Sequence, residues 1–267
     1  MREQIDRVLQ ECGLTEYGLC PFAPLQAKLL PCRAASRLPA SPEAVIVCLF
    51  PYRFASDAPR NLSRYACVPD YHRVVGDALA QAAEKLQQTL DFSFVPFVDN
   101  SPIPEVFAAT SAGLGCIGDN GLLIHPRFGS YVFIGTIVTD APITCAASEI
   151  AHCSGCGACV RACPTGALWN KYPDSVRCLS AVSQRKGNLT AEEAHALQQN
   201  GLLWGCDRCQ EVCPLNSDAV CAPFSGFDRY EPWLDSLPNE ETLREKPYGW
   251  RGSAVLERNR RILQDKK

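Results

Sequence analysis

Residues 153–164 read CSGCGACVRACP, and the four cysteines at C-x2-C-x2-C-x3-C ahead of a proline decide how the chain is organised. Short, glycine-containing spacers let the thiolates of Cys153, Cys156 and Cys159 converge on one point from a tight loop. Pro164 then turns the chain away into TGALW. The spacing is that of an iron–sulfur run whose fourth cysteine, here Cys163, ligates a second cluster. A zinc ion would be content with four tetrahedral cysteines at two C-x2-C corners and has no use for this run.

The run has a second copy further on. CDRCQEVCP supplies Cys206, Cys209, Cys213 and Pro214, with Leu203 standing where a first cysteine would be. Four and three cysteines leave two [4Fe–4S] clusters one ligand short, and Cys178 and Cys221 are the nearest candidates. Exchanging the last cysteine of each run, as two-cluster ferredoxins do, assigns Cys153, Cys156, Cys159 and Cys213 to one cluster. Cys163, Cys206, Cys209 and a distal cysteine then hold the other. Between the runs, Thr190 and Glu193 form a capping box ahead of AEEAHALQQ, and Asn200-Gly201 ends that helix. The insertion points to a ferredoxin-like module elaborated for a partner domain.

Composition agrees with a metal role for the thiols. Sixteen cysteines suit either a secreted disulfide framework or metal and redox chemistry. The opening MREQIDRVLQECG is charged and amphipathic without an apolar core, so no signal peptide is expected and the reading is cytoplasmic, where thiols stay reduced. The apolar runs AVIVCLF and YVFIGTIV have strand length and cannot span a bilayer, so no membrane partner is expected. A net charge of −3 provides no global basic field for a nucleic acid. The remaining cysteines are scattered and read as small buried hydrophobes.

Clusters move electrons, so the chemistry is expected in residues 1–143. Ile5, Val8 and Leu9 mark an opening helix, and Ala44–Phe50 reads as a buried strand ended by Pro51. Val75, Leu79, Ala82, Ala83, Leu86 and Leu90 keep a helical spacing from His72 onward. Phe92–Val98, Leu122–His125 and Tyr131–Thr139 read as strands punctuated by turns, giving an α/β (α+β) class. Gly113–Gly118 satisfies GxGxxG but follows a helix-like stretch and precedes strands, the reverse of a dinucleotide fingerprint. Its glycines imply close backbone approach to a neighbouring strand or a flat cofactor. Asp70 to Gly76 comes within one residue of the DxHxxG of base-off cobalamin domains, but the extra residue and the helix beginning there argue against that fold. Asp99 and His72, on pattern alone, read as a turn aspartate and a helix-start residue.

Several stretches in order resemble one family, the epoxyqueuosine reductases. They are Arg64-Tyr65-Ala66 with Asp70-Tyr71-His72, Val98-Asp99, Ala112 through Gly115 with Gly118 and Asn120, and Gly129-Ser130-Tyr131. Both cysteine runs follow, then Arg177-Cys178-Leu179-Ser180, Trp250-Arg251-Gly252 and Arg258-Asn259. The resemblance implies an N-terminal domain that binds cobalamin, with contacts expected from Asp70, His72, Asp99, Leu123 and Ile134. It also makes Cys178 the last ligand of the second cluster and Asp99 the proton donor. The implied reaction opens the epoxide of epoxyqueuosine in a tRNA anticodon loop through cobalamin reduced by the two clusters, which an external low-potential donor recharges.

This sequence departs from the family in three places. Gly118-Asp119-Asn120 replaces a Gly-Lys-Asn, Val106 stands where a basic residue can occur, and a helical-repeat tRNA-gripping domain is not matched, which reads as a short member. The expected divisions are 1–143 for cobalamin and substrate, 144–225 for the clusters and 226–267 as a tail packed on the core. The alternatives are a cobalamin-dependent reductase of another substrate, or a ferredoxin-type electron-transfer protein serving a corrinoid enzyme.

Overall fold

The computed structural model describes residues 1–56, 58–169 and 173–265. Packing divides the chain into two units that interleave along the sequence. The first comprises Met1–Pro51, His72–Ile117 and Leu122–Cys153, and the second Tyr52–Tyr71, Gly118–Gly121 and Ser154–Lys267. The block 1–143 expected from sequence is therefore not one body: residues 52–71 and 118–121 pack in the second unit.

The first unit is built on an antiparallel sheet in the order β1-β2-β6-β3, with β1 at Tyr17–Pro21, β2 at Ala44–Pro51, β3 at Phe94–Val98 and β6 at Val132–Thr139. All eight residues of β2 are buried, as a central strand covered on both faces requires. Pro51 belongs to this strand, opposite Val132, instead of ending it; at the last position its missing N–H costs the ladder little. The helices are α1 (Arg2–Glu11), the single turn α2 (Ala23–Gln26), α3 (Tyr71–Thr89) and α4 (Glu105–Ser111). Helix α1 buries Ile5, Val8 and Leu9, and α3 buries Val75, Leu79, Ala82, Ala83 and Leu86, the residues that the helical spacing singled out save Leu90, which follows the end of the helix and is partly exposed.

Two glycines fix how these elements meet. A Cβ at Gly135 would lie 2.5 Å from Leu79 Cδ1 and 2.9 Å from Val75 Cγ1, so the bare backbone of β6 is what seats the first turns of α3. Gly115, at φ 152°, approaches the small ribbon of β4 (Cys116–Ile117) and β5 (Leu123–Ile124). A Cβ there would meet the Ile124 carbonyl oxygen at 2.3 Å. Of the GxGxxG glycines, Gly115 thus serves strand-to-strand approach.

In the second unit, α5 (Ala158–Ala162), α6 (Leu179–Gln184), α7 (Ala191–Asn200), α8 (Arg208–Glu211), α9 (Glu240–Arg244) and α10 (Ser253–Gln264) carry the cysteine runs and the C-terminal segment. The capping box of α7 is formed as expected: Thr190 Oγ1 accepts from the Glu193 N–H and Glu193 returns to the Thr190 N–H. Trp204 is fully buried among Leu62, Cys67, Leu243, Tyr248 and Leu256. Its indole N–H donates to Tyr65 Oη at 2.8 Å. The chain around it is pinned by the Leu203 N–H to the Asn61 carbonyl (2.6 Å) and the Ser63 N–H to the Trp204 carbonyl (2.9 Å). The C-terminal residues Leu243, Tyr248, Val255 and Leu256 are part of this core. Among the described residues no helix is long and apolar enough to cross a membrane.

Candidate active site and cluster loops

In the first unit, β3 ends at the pair Val98–Gly135, so the chain reaches Asp99 abreast of Ile134. Asp99 takes φ 56°, and no other described non-glycine residue has a positive φ. That conformation costs of the order of 1 kcal/mol and persists where surroundings hold it. The next turn supplies the hold. The Asp99 backbone N–H donates to the carboxylate of Glu105, at the start of α4, and the Ser101 N–H donates to the Asp99 carbonyl at 2.7 Å. The Asp99 side chain meets His72, with Nε2 to Oδ2 at 3.3 Å, from the first turn of α3. Both side chains stay partly open to solvent.

Glu105 was not legible in the sequence as part of this arrangement. The residue is only partly exposed, its carboxyl is buried, and Oε1 is shielded without a hydrogen-bond partner. Burial first, and the Asp99 carboxylate second, push its pKa up to about 8, while the Asp99 N–H pulls it down. Glu105 therefore keeps its proton at neutral pH, where a solvated glutamate would have lost it. A group that binds its proton more tightly folded than unfolded stabilises the fold at low pH. That contribution is lost as pH rises through 4.5 toward 8, at up to about 1.4 kcal/mol per pH unit. Chemical denaturation of wild type and Glu105→Gln across this window should show the wild type losing stability with rising pH and the variant losing less. Parallel profiles would remove Glu105 from this account.

Of the other residues expected near a cofactor, Ile134 is half-buried in the part of β6 that is least covered, Val132–Ile134. Leu123 is 2% exposed and packs in the core with Leu49 and Val138, so it has little side chain to offer a ligand. Asp70 lies in the second unit, where its backbone N–H donates to the Glu245 carbonyl at 2.9 Å.

The two cysteine runs of the second unit fold alike. In each, a short helix, α5 or α8, carries a middle cysteine (Cys159, Cys209). The last cysteine is extended, Cys163 at φ −69°, ψ 114° and Cys213 at φ −75°, ψ 119°, and a proline follows. Around Cys206, burial raises the thiol pKa to about 11, with the thiols of Cys178 and Cys163 adding to it. Burial takes Cys209 up to about 12, with Cys206 and Cys178 adding and an Asn120 side-chain hydrogen bond opposing. Cys163, Cys178, Cys206 and Cys209 thus share one electrostatic neighbourhood. Cys159 feels Asp119 and Cys213. Cys153 closes the first unit one residue before the second begins, and Cys221 is exposed. Among the described residues no three His, Cys, Asp or Glu side chains are near enough to hold a single metal ion. A four-iron cube makes a different demand, four thiolates on separate irons, and thiols that act on one another, Cys178 on Cys206 and Cys209 and Cys163 on Cys206, suit that donor set.

The family model described as epoxyqueuosine reductase QueG, DUF1730 matches residues 33–100, a span that closes on Asp99 and Asn100. The model for a 4Fe-4S double cluster binding domain matches residues 152–216. The epoxyqueuosine reductase of Synechocystis sp. is 37% identical over 196 residues, 70% of this chain and 67% of that protein. The chain belongs to the epoxyqueuosine reductase family. The enzyme of Aliivibrio fischeri is 35% identical over 73% of this chain but 51% of its own length, so the chain spans about half of several curated epoxyqueuosine reductases. The fold is shared with the epoxyqueuosine reductase of Streptococcus thermophilus (TM-score 0.83, 23% identity, 98% of this chain and 80% of that one). It is also shared with an epoxyqueuosine reductase solved with an epoxyqueuosine-modified tRNA-Tyr stem loop (TM-score 0.82, 24% identity, 98% and 80%).

Two of the matching motifs have structural work in this chain. Tyr65 receives the Trp204 indole and the Gln184 amide. Asn259, fully buried, donates to the carbonyls of Ser183 (2.8 Å) and Leu203 (2.7 Å), which ties α10 to the strand of chain leading into Cys206. Asp207, directly after that cysteine, is buried and paired with Arg60 at 2.7 Å and with the Arg64 N–H at 2.8 Å. Unpaired, a carboxylate so buried would cost several kcal/mol. These contacts hold the second cysteine run in place.

Proposed function

We propose that the chain reduces epoxyqueuosine in tRNA to queuosine, with Asp99 as proton donor. The observation that carries this reading is Asp99 itself, held at a strained backbone position at the end of β3 against His72 and braced by a protonated Glu105. Removing an epoxide oxygen as water takes two electrons and two protons, and the oxygen released from carbon must be protonated as its bond breaks. A carboxylic acid on a short, partly open loop is placed to give that proton, and the partner His72 holds its orientation. Cobalamin, when bound, supplies the strongly reducing centre that opens the ring, and the [4Fe–4S] clusters supply its electrons from an external low-potential donor. Ile134 and its half-covered neighbours on β6, abreast of Asp99, offer the apolar ledge such a flat ligand needs. Cys153, Cys156, Cys159 and Cys213 would hold one cluster, and Cys163, Cys178, Cys206 and Cys209 the other.

The test is anaerobic. Protein with reconstituted clusters, cobalamin and a low-potential reductant is given tRNA carrying epoxyqueuosine, and the digested nucleosides are weighed by mass spectrometry. Queuosine is expected. Cobalamin that binds and is reduced while epoxyqueuosine persists would move the chemistry to another substrate.

A further inference from the structure

A cavity of about 410 Å³ opens in the second unit, lined by Lys186, Gly187 and Asn188 from the loop after α6, by Arg251 from the turn before α10, and by Ala254, Val255, Arg258 and Arg261 of α10. Four of its eight residues are cationic and none is acidic. Like charges gathered in one concavity repel each other and disfavour the site until an anion enters.

The four cations do not have the same role. Arg258 is spent on the backbone: it donates to the carbonyls of Arg185, Gly187 (2.7 Å) and Ser183 (3.1 Å) and to the Asn259 side chain. It therefore fixes the 185–187 loop, and with it the cavity wall, before any ligand arrives. Lys186 has no ion pair among the described residues, and the single partner of Arg261 is the exposed Glu257 at 3.4 Å. Arg251 stacks its guanidinium 3.6 Å over the Trp250 ring, and its Nε is buried with no hydrogen-bond partner. Trp250 itself stays 59% exposed.

We propose that this cavity binds backbone phosphates of single-stranded RNA, with Lys186, Arg251 and Arg261 as the phosphate contacts and Trp250 as the platform on which an unpaired base stacks. The pairing of an exposed aromatic with a cationic cleft is what separates this reading from a site for a free anion. Unstacked bases of RNA loops are held on aromatic and guanidinium planes, and their phosphates on Lys and Arg. Chain-wide charge gives no such attraction, so the local cluster has to provide it. The inference rests on the tRNA reading for the identity of the RNA, but not for the chemistry of binding.

Binding of the full chain to an unmodified, fluorescently labelled RNA stem loop, followed by anisotropy at several salt concentrations, separates the two. Lys186→Ala, Arg251→Ala and Arg261→Ala are each expected to weaken binding and to take about 0.7 off the slope of log affinity against log salt. Trp250→Ala should cost about tenfold or more in affinity with the slope unchanged. Arg251→Lys should keep the slope, and Arg244→Ala, exposed on α9, should leave both quantities as in wild type. Iron content and circular dichroism check that each variant is folded. Wild-type slopes in all three cation variants, or no binding of the RNA by wild type, would overturn the cavity as an RNA site. Neither result touches the nucleoside assay, and failure of that assay with the salt slopes as expected would leave the cavity standing.

Discussion

Asp99→Asn should lower reduction of the epoxide by about 10²–10⁴-fold, the range that a positioned proton donor contributes, with iron content and cobalamin binding unchanged. Asparagine is the informative substitution because of the backbone. Asp99 sits at φ 56°, and asparagine accepts that left-handed conformation about as readily as aspartate. The loop, the Asp99 N–H to Glu105 and the contact with His72 can all persist. What disappears is the ionisable proton. Asp99→Ala should lose turnover as well, but it also strains the loop, so it tests less. Wild-type turnover in Asp99→Asn would remove the residue from the proton transfer and return it to the role of a turn aspartate.

Cys178→Ala is expected to halve the iron, from about eight to about four atoms per chain. The expectation follows from the company Cys178 keeps, since its thiol acts on those of both Cys206 and Cys209, as Cys163 acts on that of Cys206. The change is also clean. Cys178 is the N-cap of α6 but contributes no side-chain cap, so that helix loses nothing when the sulfur goes. Quantifying iron and sulfide after anaerobic reconstitution, with the reduced-state electron paramagnetic resonance spectrum, reads the outcome. Iron that stays near eight atoms would assign the eighth ligand elsewhere, with the exposed Cys221 the first alternative.

Much of this architecture was legible in sequence where the signal is local. The periodicity of α3, the capping box of α7 and the apolar run of β2 each depend on neighbours within a few positions, and each formed as read, the strand one residue longer. The seven cysteines of the two runs announce themselves by spacing, because a cluster loop is a local object. Cys178, the proposed eighth ligand, does not, since a thiol brought from a separate turn leaves no spacing to count. Resemblance to the family singled it out.

Glu105 and Asp207 were missed for a related reason. Their significance lies in burial of a carboxyl group, which is decided by what folds over it, and a glutamate at a helix start or an aspartate after a cysteine looks solvated on the page. Gly115 of the GxGxxG stretch shows the converse. The motif states that a backbone comes close, and only the Ile124 carbonyl says to what. The division at residue 143 likewise could not foresee that residues 52–71 would pack with the C-terminal half, because Leu62 and Trp204 meet across a long sequence separation.

That interleaving bears on how the protein can be made. During synthesis, the strand-forming β2 emerges and is followed at once by Tyr52–Tyr71, a segment whose packing partners at Leu203, Trp204 and Tyr248 leave the ribosome much later. Until then its apolar side chains, Leu62 and Ala66 among them, wait without cover, the condition in which nascent chains aggregate or recruit chaperones. No single cut yields an intact unit either: the matched cluster segment 152–216, expressed by itself, would leave Trp204 without Leu62, Tyr65 and Tyr248. The iron–sulfur module is written into the gene as one stretch, but it can be assembled only as part of the whole chain.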